Sequence, residues 1–274
     1  MSLAYASHGD TKHIVLFPAD PGECFEMSVA AFDLAERFQT PVFVASDLDI
    51  GMNDWMVPRL AWDDAYRPDR GKVLDAQDLA KLDTFWRYYD HDDDGIPQRT
   101  IPGVSSKGAY FARGSGHNQY GAYTEDAREY QVVVDRLRKK WLTAARLVPK
   151  AVIESGYSAE FAVVTLGSGD APVREAIARL RAQGVQLDYM RVRGFPFGEE
   201  VEQFLNAHQL NFIVEQNRDA QLRSLLTLET GVPKTRMRSI LHYNGLPLAA
   251  RYVIDGIMAA VQDHARPAAQ LVRQ

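Results

Sequence analysis

The sequence predicts an α/β protein whose last part is a doubly wound domain built on a parallel sheet. The 274 residues are 46% hydrophobic and 24% charged, which is typical of a globular protein with a sizeable core. Residues 159–264 alternate between short apolar runs and amphipathic segments, as in doubly wound sheets. Residues 13–47 have a strand-helix-strand pattern, which indicates a further parallel pair.

The first region starts with a buried strand. His13–Phe17 is a short apolar run, and Thr40–Ala45 is a second one. Between them, Asp20 and Pro21 predict a helix start, as an N-cap and a first-turn proline. Apolar residues then recur on one helix face: Met27, Ala31, Leu34 and Phe38. The pattern therefore predicts β-α-β.

The middle region has little periodicity. Residues 49–121 are rich in Asp, Gly, Pro and aromatic residues, which favours an irregular segment with one helix within 74–89. Residues 124–126 then open a strong amphipathic helix that Pro149 ends. Its apolar residues share one face: Tyr130, Val133, Val134, Leu137, Trp141 and Ala145.

The last region carries the doubly wound pattern. The predicted strands are 161–166, 185–192, 212–215 and 239–243. The predicted helices are 172–183, 199–208, 220–228 and 249–263.

Composition excludes several classes of function. The formal net charge of −5 gives no electrostatic reason to expect nucleic acid or an anionic membrane as a partner. No apolar stretch has the length of a transmembrane helix, and the start lacks the basic and apolar parts of a secretory signal. The single cysteine, Cys24, excludes an internal disulfide, a zinc-thiolate site and a cysteine-ligated iron–sulfur cluster. We therefore expect a cytoplasmic protein.

An acidic loop is a candidate metal site. Asp90, Asp92 and Asp94 occupy the first, third and fifth positions of a calcium-loop pattern, with Gly95 at the sixth. Position twelve is Ile101 rather than glutamate, which argues against an EF-hand. Two alternatives remain for residues 90–96: a calcium or magnesium loop completed by a distant carboxylate, and a solvated acidic turn.

Three other motifs have a functional and a structural interpretation. Gly167–Gly169 follows a strand and precedes a helix, where a phosphate could bind, but no third glycine follows and a tight turn is favoured. His117 and Asn118 lie in a glycine-rich loop that could approach a ligand, or that is simply a surface loop. Residues 7–10 include a serine, a histidine and an aspartate, yet hydrolytic triads draw on separate elements, which argues against a hydrolase.

Many short stretches, taken in order, resemble the α subunit of the 2-oxoacid:ferredoxin oxidoreductases, particularly the 2-oxoglutarate type. They run nearly end to end through the chain: 7–10, 13–18, 23–26, 30–42, 90–95, 107–110, 113–120, 123–126, 191–196, 214–219, 221–223 and 241–247. The resemblance implies three regions. Residues 1–48 would be the C-terminal remnant of a thiamine-pyrimidine-binding domain, 49–150 an irregular connector with a long amphipathic helix, and 151–274 a transketolase C-terminal-like domain.

The family's cofactor-activating glutamate and its substrate-binding arginine and threonine lie in a stretch without a counterpart in this sequence, so none of them transfers. A pyrimidine-binding sheet without its first strands would expose an unpaired edge and an apolar face, which predicts self-association.

The resemblance also implies a function. The family oxidatively decarboxylates a 2-oxoacid, here 2-oxoglutarate in the first instance, to an acyl-coenzyme A and passes the electrons to ferredoxin. Thiamine diphosphate with magnesium and the iron–sulfur clusters are expected in the complex, on a partner β subunit. The isolated chain is expected to be inactive, and the active form is expected to be an oligomer that contains it.

Within this interpretation, His8 and Asp10 are the candidates near the active site, and His117 and Asn118 are the candidate cofactor contacts. The alternatives are a non-catalytic interaction or scaffold module derived from the family, and a transketolase-like enzyme without ferredoxin.

Overall fold

Two sheets and a short two-stranded ladder organise the chain. The computed structural model describes residues 1–112, 114–158 and 160–265, so Arg113, Ala159 and residues 266–274 of the predicted regions lie outside the described residues. The strands are β1 (Ile14–Leu16), β2 (Val42–Val44), β3 (Val73–Leu74), β4 (Arg99–Thr100), β5 (Val152–Glu154), β6 (Phe161–Leu166), β7 (Asp188–Val192), β8 (Gly194–Phe195), β9 (Leu210–Glu215) and β10 (Met237–Leu241). The α-helices are α1 (Pro21–Phe38), α2 (Leu48–Met52), α3 (Ala76–Lys81), α4 (Ala127–Leu147), α5 (Asp170–Ala182), α6 (Glu199–Ala207), α7 (Gln221–Thr230) and α8 (Ala250–Ala265).

The large sheet confirms the doubly wound prediction. Its order is β10-β9-β6-β7-β5, and all neighbours are parallel except β5, which pairs antiparallel with β7. Helices α5 and α8 pack on one face, and α6 and α7 pack on the other. Strand β7 begins at Asp188 instead of residue 185, because Gly184 takes a positive φ and Val185 donates back to Leu180 at the end of α5.

The small sheet has the order β2-β1-β8 and joins the first region of the chain to β8, which directly follows β7 of the large sheet. Strands β1 and β2 are parallel, as predicted, and β8 pairs antiparallel with β1 through Val15 and Phe195. A later segment, β8, therefore covers the edge of β1 that faces away from β2. One face of this sheet packs against α1 and α4, and Val15 on the other face packs near Leu225 of α7.

Local sequence signals explain where α1 and α4 begin. Asp20 accepts a hydrogen bond from the Glu23 N–H at 2.9 Å, with Pro21 at the first helical position, as predicted. Asp126 caps α4 in the same way. Only part of the predicted apolar face of α4 is buried. Trp141 packs in the core with Ala144 and Val148, whereas Tyr130, near the start of the helix, is 59% exposed. Only the second half of α4 reaches the core.

The topology places one crevice in the large sheet. Strands β6 and β9 are parallel neighbours, yet the helices that follow them, α5 and α7, cover opposite faces. The chain therefore leaves these two strands in opposite directions at their carboxyl ends. In doubly wound folds this switch point is where a crevice opens.

Candidate functional site

The candidate active-site residues lie in the loop that precedes β1. His8 and Asp10 are both exposed. Asp10 lines a cleft of about 530 Å³ between this loop and α4. Trp141 and Phe197 supply apolar walls to the cleft, and Arg138 supplies a cation. The structure thus gives Asp10 a concave, mixed apolar and charged surrounding that can admit a small ligand.

A three-residue polar cluster closes one side of this cleft. The Lys12 ammonium lies 2.8 and 2.6 Å from the two carboxylate oxygens of Glu229, and the Tyr5 hydroxyl donates to the same carboxylate. Burial, together with the hydrogen bond to Glu229, raises the pKa of Tyr5 to about 12. The cluster ties the loop before β1 to α7 and keeps the phenol protonated, as a donor.

The serine of the same loop pairs with a histidine outside the Ser-His-Gly-Asp stretch. The hydroxyl of Ser7 is 2.8 Å from Nε2 of His13, and the His13 ring stands edge-on to Phe43. Nδ1 of His13 is buried without a hydrogen-bond partner. A hydrolytic triad needs a carboxylate on that nitrogen, so Ser7 and His13 do not make one.

The candidate cofactor contacts His117 and Asn118 hold their own loop. Nδ1 of His117 is 2.8 Å from the Asn118 carbonyl oxygen, and its ring stacks on Tyr88 at 4.1 Å. The Asn118 side-chain oxygen accepts from the N–H groups of Tyr120 and Ala122, each at 3.0 Å. Neither residue lines the cleft beside Asp10. Their observed contacts are those of a loop-stabilising turn, and their cofactor role stays a prediction.

The acidic loop is neutralised by lysine. Lys72 Nζ lies 2.7 Å from carboxylate oxygens of both Asp92 and Asp94. Burial lowers the pKa of Lys72, but these hydrogen bonds outweigh it and raise the pKa above its ordinary value. Asp90 instead accepts the N–H groups of Asp94 and Gly95 within the turn. An ammonium therefore stands between two of the three predicted metal ligands.

Close packing against α4 requires a glycine at position 95, independently of the calcium-loop pattern. Its φ is +84°, and a Cβ there would come within 2.2 Å of the Lys140 backbone nitrogen in α4. The turn thus approaches α4 too closely for any side chain.

A buried ion cluster, which the motif analysis missed, joins α1 to the large sheet. Arg191 donates to both carboxylate oxygens of Glu23, at 2.6 and 2.9 Å, and Arg193 lies 3.0 Å from the same carboxylate. Burial raises the pKa of Glu23, but the Arg191 hydrogen bonds and the Ala19 N–H outweigh it and hold that pKa below its usual value. The sequence did contain a signal for this pair, because Glu23 and Arg191 both lie in stretches that carry the family resemblance.

A second missed group sits at the switch point. Asp47 accepts the Ser168 N–H at 3.0 Å, and Gln216 donates to the Ser168 hydroxyl at 2.8 Å. Gly167–Gly169 forms a short 3-10 turn that leads into α5, in line with the tight-turn interpretation. The rule that ligands meet parallel strands at their carboxyl ends could have located this group from the sequence.

The described residues do not supply the ligands that the cofactors implied by the resemblance need. Among the described residues, no group of three or more His, Cys, Asp or Glu side chains could hold a metal ion. A cluster needs several thiolates, whereas Cys24 is the one cysteine of the sequence and lies half-buried in α1. The described residues alone therefore do not fit a magnesium–diphosphate site or an iron–sulfur cluster. In the part of the chain that the structure describes, no helix is both long and apolar enough to cross a membrane.

Comparisons with known proteins identify the relatives. The sequence profile of the thiamine diphosphate-binding domain of pyruvate flavodoxin/ferredoxin oxidoreductases matches residues 2–69. The α subunit of 2-oxoacid:ferredoxin oxidoreductase 2 of Aeropyrum pernix is 32% identical over 89% of this chain and 37% of its own length. The 2-oxoglutarate synthase subunit KorA of Methanothermobacter thermautotrophicus is 24% identical over 86% of this chain and 61% of its own.

A solved structure shares the fold. The 2-oxoglutarate:ferredoxin oxidoreductase of Magnetococcus marinus, solved with 2-oxoglutarate, coenzyme A and succinyl-CoA bound, aligns with a TM-score of 0.84 at 24% identity, over 95% of this chain and 44% of that one. This chain spans about two fifths of the length of the first relatives that it matches. The sequence resemblance is confirmed: the chain is a relative of the α subunits of the 2-oxoacid:ferredoxin oxidoreductases.

Proposed function

We propose that this chain supplies part of the α subunit of a thiamine-diphosphate-dependent 2-oxoacid:ferredoxin oxidoreductase, with 2-oxoglutarate as the substrate. The enzyme would decarboxylate the 2-oxoacid oxidatively, form the acyl-coenzyme A and pass the electrons to ferredoxin. The observation that carries this proposal is the 32% identity to the Aeropyrum pernix α subunit across 89% of the chain. The 2-oxoglutarate assignment rests on the names of two further relatives.

The division of labour in the proposed complex follows from the donor set. A β subunit would carry the iron–sulfur clusters, because the one cysteine of this sequence cannot ligate a cluster. The magnesium–diphosphate part of thiamine diphosphate would also lie on that subunit. This chain would form part of the wall of the active-site cavity and help to orient the 2-oxoacid and the cofactor. In cofactor enzymes the cofactor carries out the chemistry, and the protein supplies binding and orientation.

Within that complex we place the reacting side of the chain at the loop before β1. His8 and Asp10 are exposed there, and Asp10 lines the cleft with Arg138 and Lys12. The cleft also contains the carboxylates of Asp135 and Glu229, and Lys12 is paired with Glu229, so Arg138 would be the cation that meets a carboxylate of a 2-oxoacid beside the apolar wall. His117 and Asn118 would contact the cofactor only if the partner subunit covers their loop.

Reconstitution tests the proposal. The chain is assembled with the β subunit and the remaining α-subunit domains, and ferredoxin reduction is followed after addition of 2-oxoglutarate and coenzyme A. We expect reduction that needs both substrates and that exceeds the rate with pyruvate. The Asp10→Asn variant should slow turnover in an assembled complex of unchanged size. An assembled, cofactor-loaded complex without 2-oxoacid-dependent reduction would instead favour the scaffold module.

A further inference from the structure

The crevice at the switch point of the large sheet contains part of the chain itself. It lies between the carboxyl ends of β6 and β9, where doubly wound domains bind their ligands. Asp47, at the start of α2, reaches the turn that follows β6. The remaining space beside it is a cavity of about 280 Å³, lined by Thr165 and Asn217 from the sheet side and by Phe17 and Asp47 from the first region.

The contacts of Asp47 are those of an anion bound to a glycine turn. One carboxylate oxygen accepts the Ser168 N–H at 3.0 Å, and the other accepts the Ile50 N–H at 3.1 Å. Gly167 has a φ of +60°, and a Cβ there would lie 3.0 Å from Oδ2 of Asp47, the oxygen that accepts the Ser168 N–H. The glycine thus permits the close approach of a carboxylate instead of a phosphate.

The other strand of the switch point holds the same turn. Gln216 follows β9 and donates to the Ser168 hydroxyl at 2.8 Å, while the Ser168 N–H points to Asp47. Ser168 is buried. Both strands of the crevice and the α2 segment therefore meet at one residue, and a free oxyanion would have to displace Asp47 to reach its N–H.

We propose that Asp47 is an internal ligand that occupies the anion position of this crevice and thereby latches residues 47–52 onto the large sheet. The latch is independent of the reaction that the complex catalyses. It makes the crevice a structural joint between the first region and the doubly wound region. It also predicts that the site binds small oxyanions such as phosphate once the carboxylate is removed.

The test compares the whole wild-type chain with Asp47→Ala and Asp47→Asn. The control is Asp75→Ala, because Asp75 caps α3 through the Gln77 and Asp78 N–H groups, within its own segment. Amide hydrogen exchange of the peptide that contains Ser168 reports the latch. A phosphate titration at constant ionic strength, followed by thermal melting, reports the vacated site.

We expect exchange at Ser168 to speed up by about tenfold or more in both Asp47 variants, since a charge-assisted hydrogen bond is lost. Phosphate should raise the melting temperature of Asp47→Ala and slow this exchange, with a smaller effect on wild type and on Asp75→Ala. Unchanged exchange at Ser168 in Asp47→Asn overturns the proposal. An equal response of all four proteins to phosphate overturns it as well. If Asp47→Ala does not fold, exchange at Ser168 in Asp47→Asn still tests the latch, because the charge of the acceptor is lost while its shape is kept.

Discussion

Replacement of Glu23 by glutamine should destabilise the whole chain, because this carboxylate joins α1 to the large sheet. The Glu23 side chain is 14% exposed, and that of Arg191 is 8% exposed. Glutamine keeps the shape but replaces one acceptor oxygen by an NH₂ group that faces a guanidinium. Two arginines, Arg191 and Arg193, would then lose their common counter-charge.

The size of the effect follows from what remains around Arg191. Loss of one partner of a buried ion pair costs about 3–5 kcal/mol. Asp170 still lies 3.2 Å from Nε of Arg191, although that N–H is not aligned to donate a hydrogen bond. Residual attraction from Asp170 places the expected loss near the lower end, at about 3 kcal/mol in the free energy of unfolding.

Urea unfolding of Glu23→Gln and wild type measures this loss. The matched control is Glu175→Gln, because Glu175 forms an exposed pair with Arg179 one helical turn away and should cost less than about 0.5 kcal/mol. A second control replaces Glu23 and Arg191 together by leucine, which should recover much of the loss. If Glu23→Gln costs no more than Glu175→Gln, the buried cluster does not hold the two regions together.

The same pair predicts a pH dependence. The folded pKa of Glu23 lies below the ordinary value of 4.5. Its stabilising contribution is therefore complete above pH 4.5 and is lost as the pH falls through the lowered folded pKa. Unfolding free energies measured at pH 7 and at pH 3 should differ less for Glu23→Gln than for wild type. Equal differences would contradict this assignment.

Three further predictions concern the acidic loop and the surface. Calcium or magnesium should leave the melting temperature unchanged, because Lys72 already neutralises carboxylates of residues 90–96; a concentration-dependent rise would restore the metal interpretation. Gly95→Ala should cost more than about 1 kcal/mol in urea unfolding, and more than Gly184→Ala, which has a similar φ but no atom within 4 Å of its Cβ. Light scattering should show self-association of the isolated chain, since several apolar side chains of residues 48–62 are exposed; a monodisperse monomer contradicts this.

The strands that the sequence predicts well are those whose own residues decide their burial. The apolar run at 161–166 became β6 with the same bounds, in the centre of the large sheet. Strands β5 and β8 were missed for a physical reason. Each has only two or three residues and exists through its partner, β7 for β5 and β1 for β8. Pairing between segments far apart in the chain leaves no local pattern in so short a strand.

The site predictions show the same limit. The acidic pattern of residues 90–96 left a metal loop and an acidic turn open, and no local signal pointed to Lys72, which lies about twenty residues upstream and pairs with two of its carboxylates. Likewise the partner of Ser7 is His13, which lies outside the Ser-His-Gly-Asp stretch and directly before β1. Residue types in a segment indicate which interactions it can make, whereas the fold determines which distant residue becomes the partner.

Four of the segments that carry the family resemblance, 13–18, 23–26, 191–196 and 214–219, contribute to the packing between the first and the last region. Glu23 meets Arg191, and β1 pairs with β8 within the 191–196 stretch. In the 214–219 stretch, the buried Glu215 accepts the Leu222 N–H at 2.7 Å and so caps α7, the helix that packs on the small sheet. Neither Glu23 nor Arg191 nor Glu215 lines the cleft beside Asp10. Their shared role is therefore architectural: they hold the first region against the doubly wound region, and with it the loop before β1 that presents Asp10.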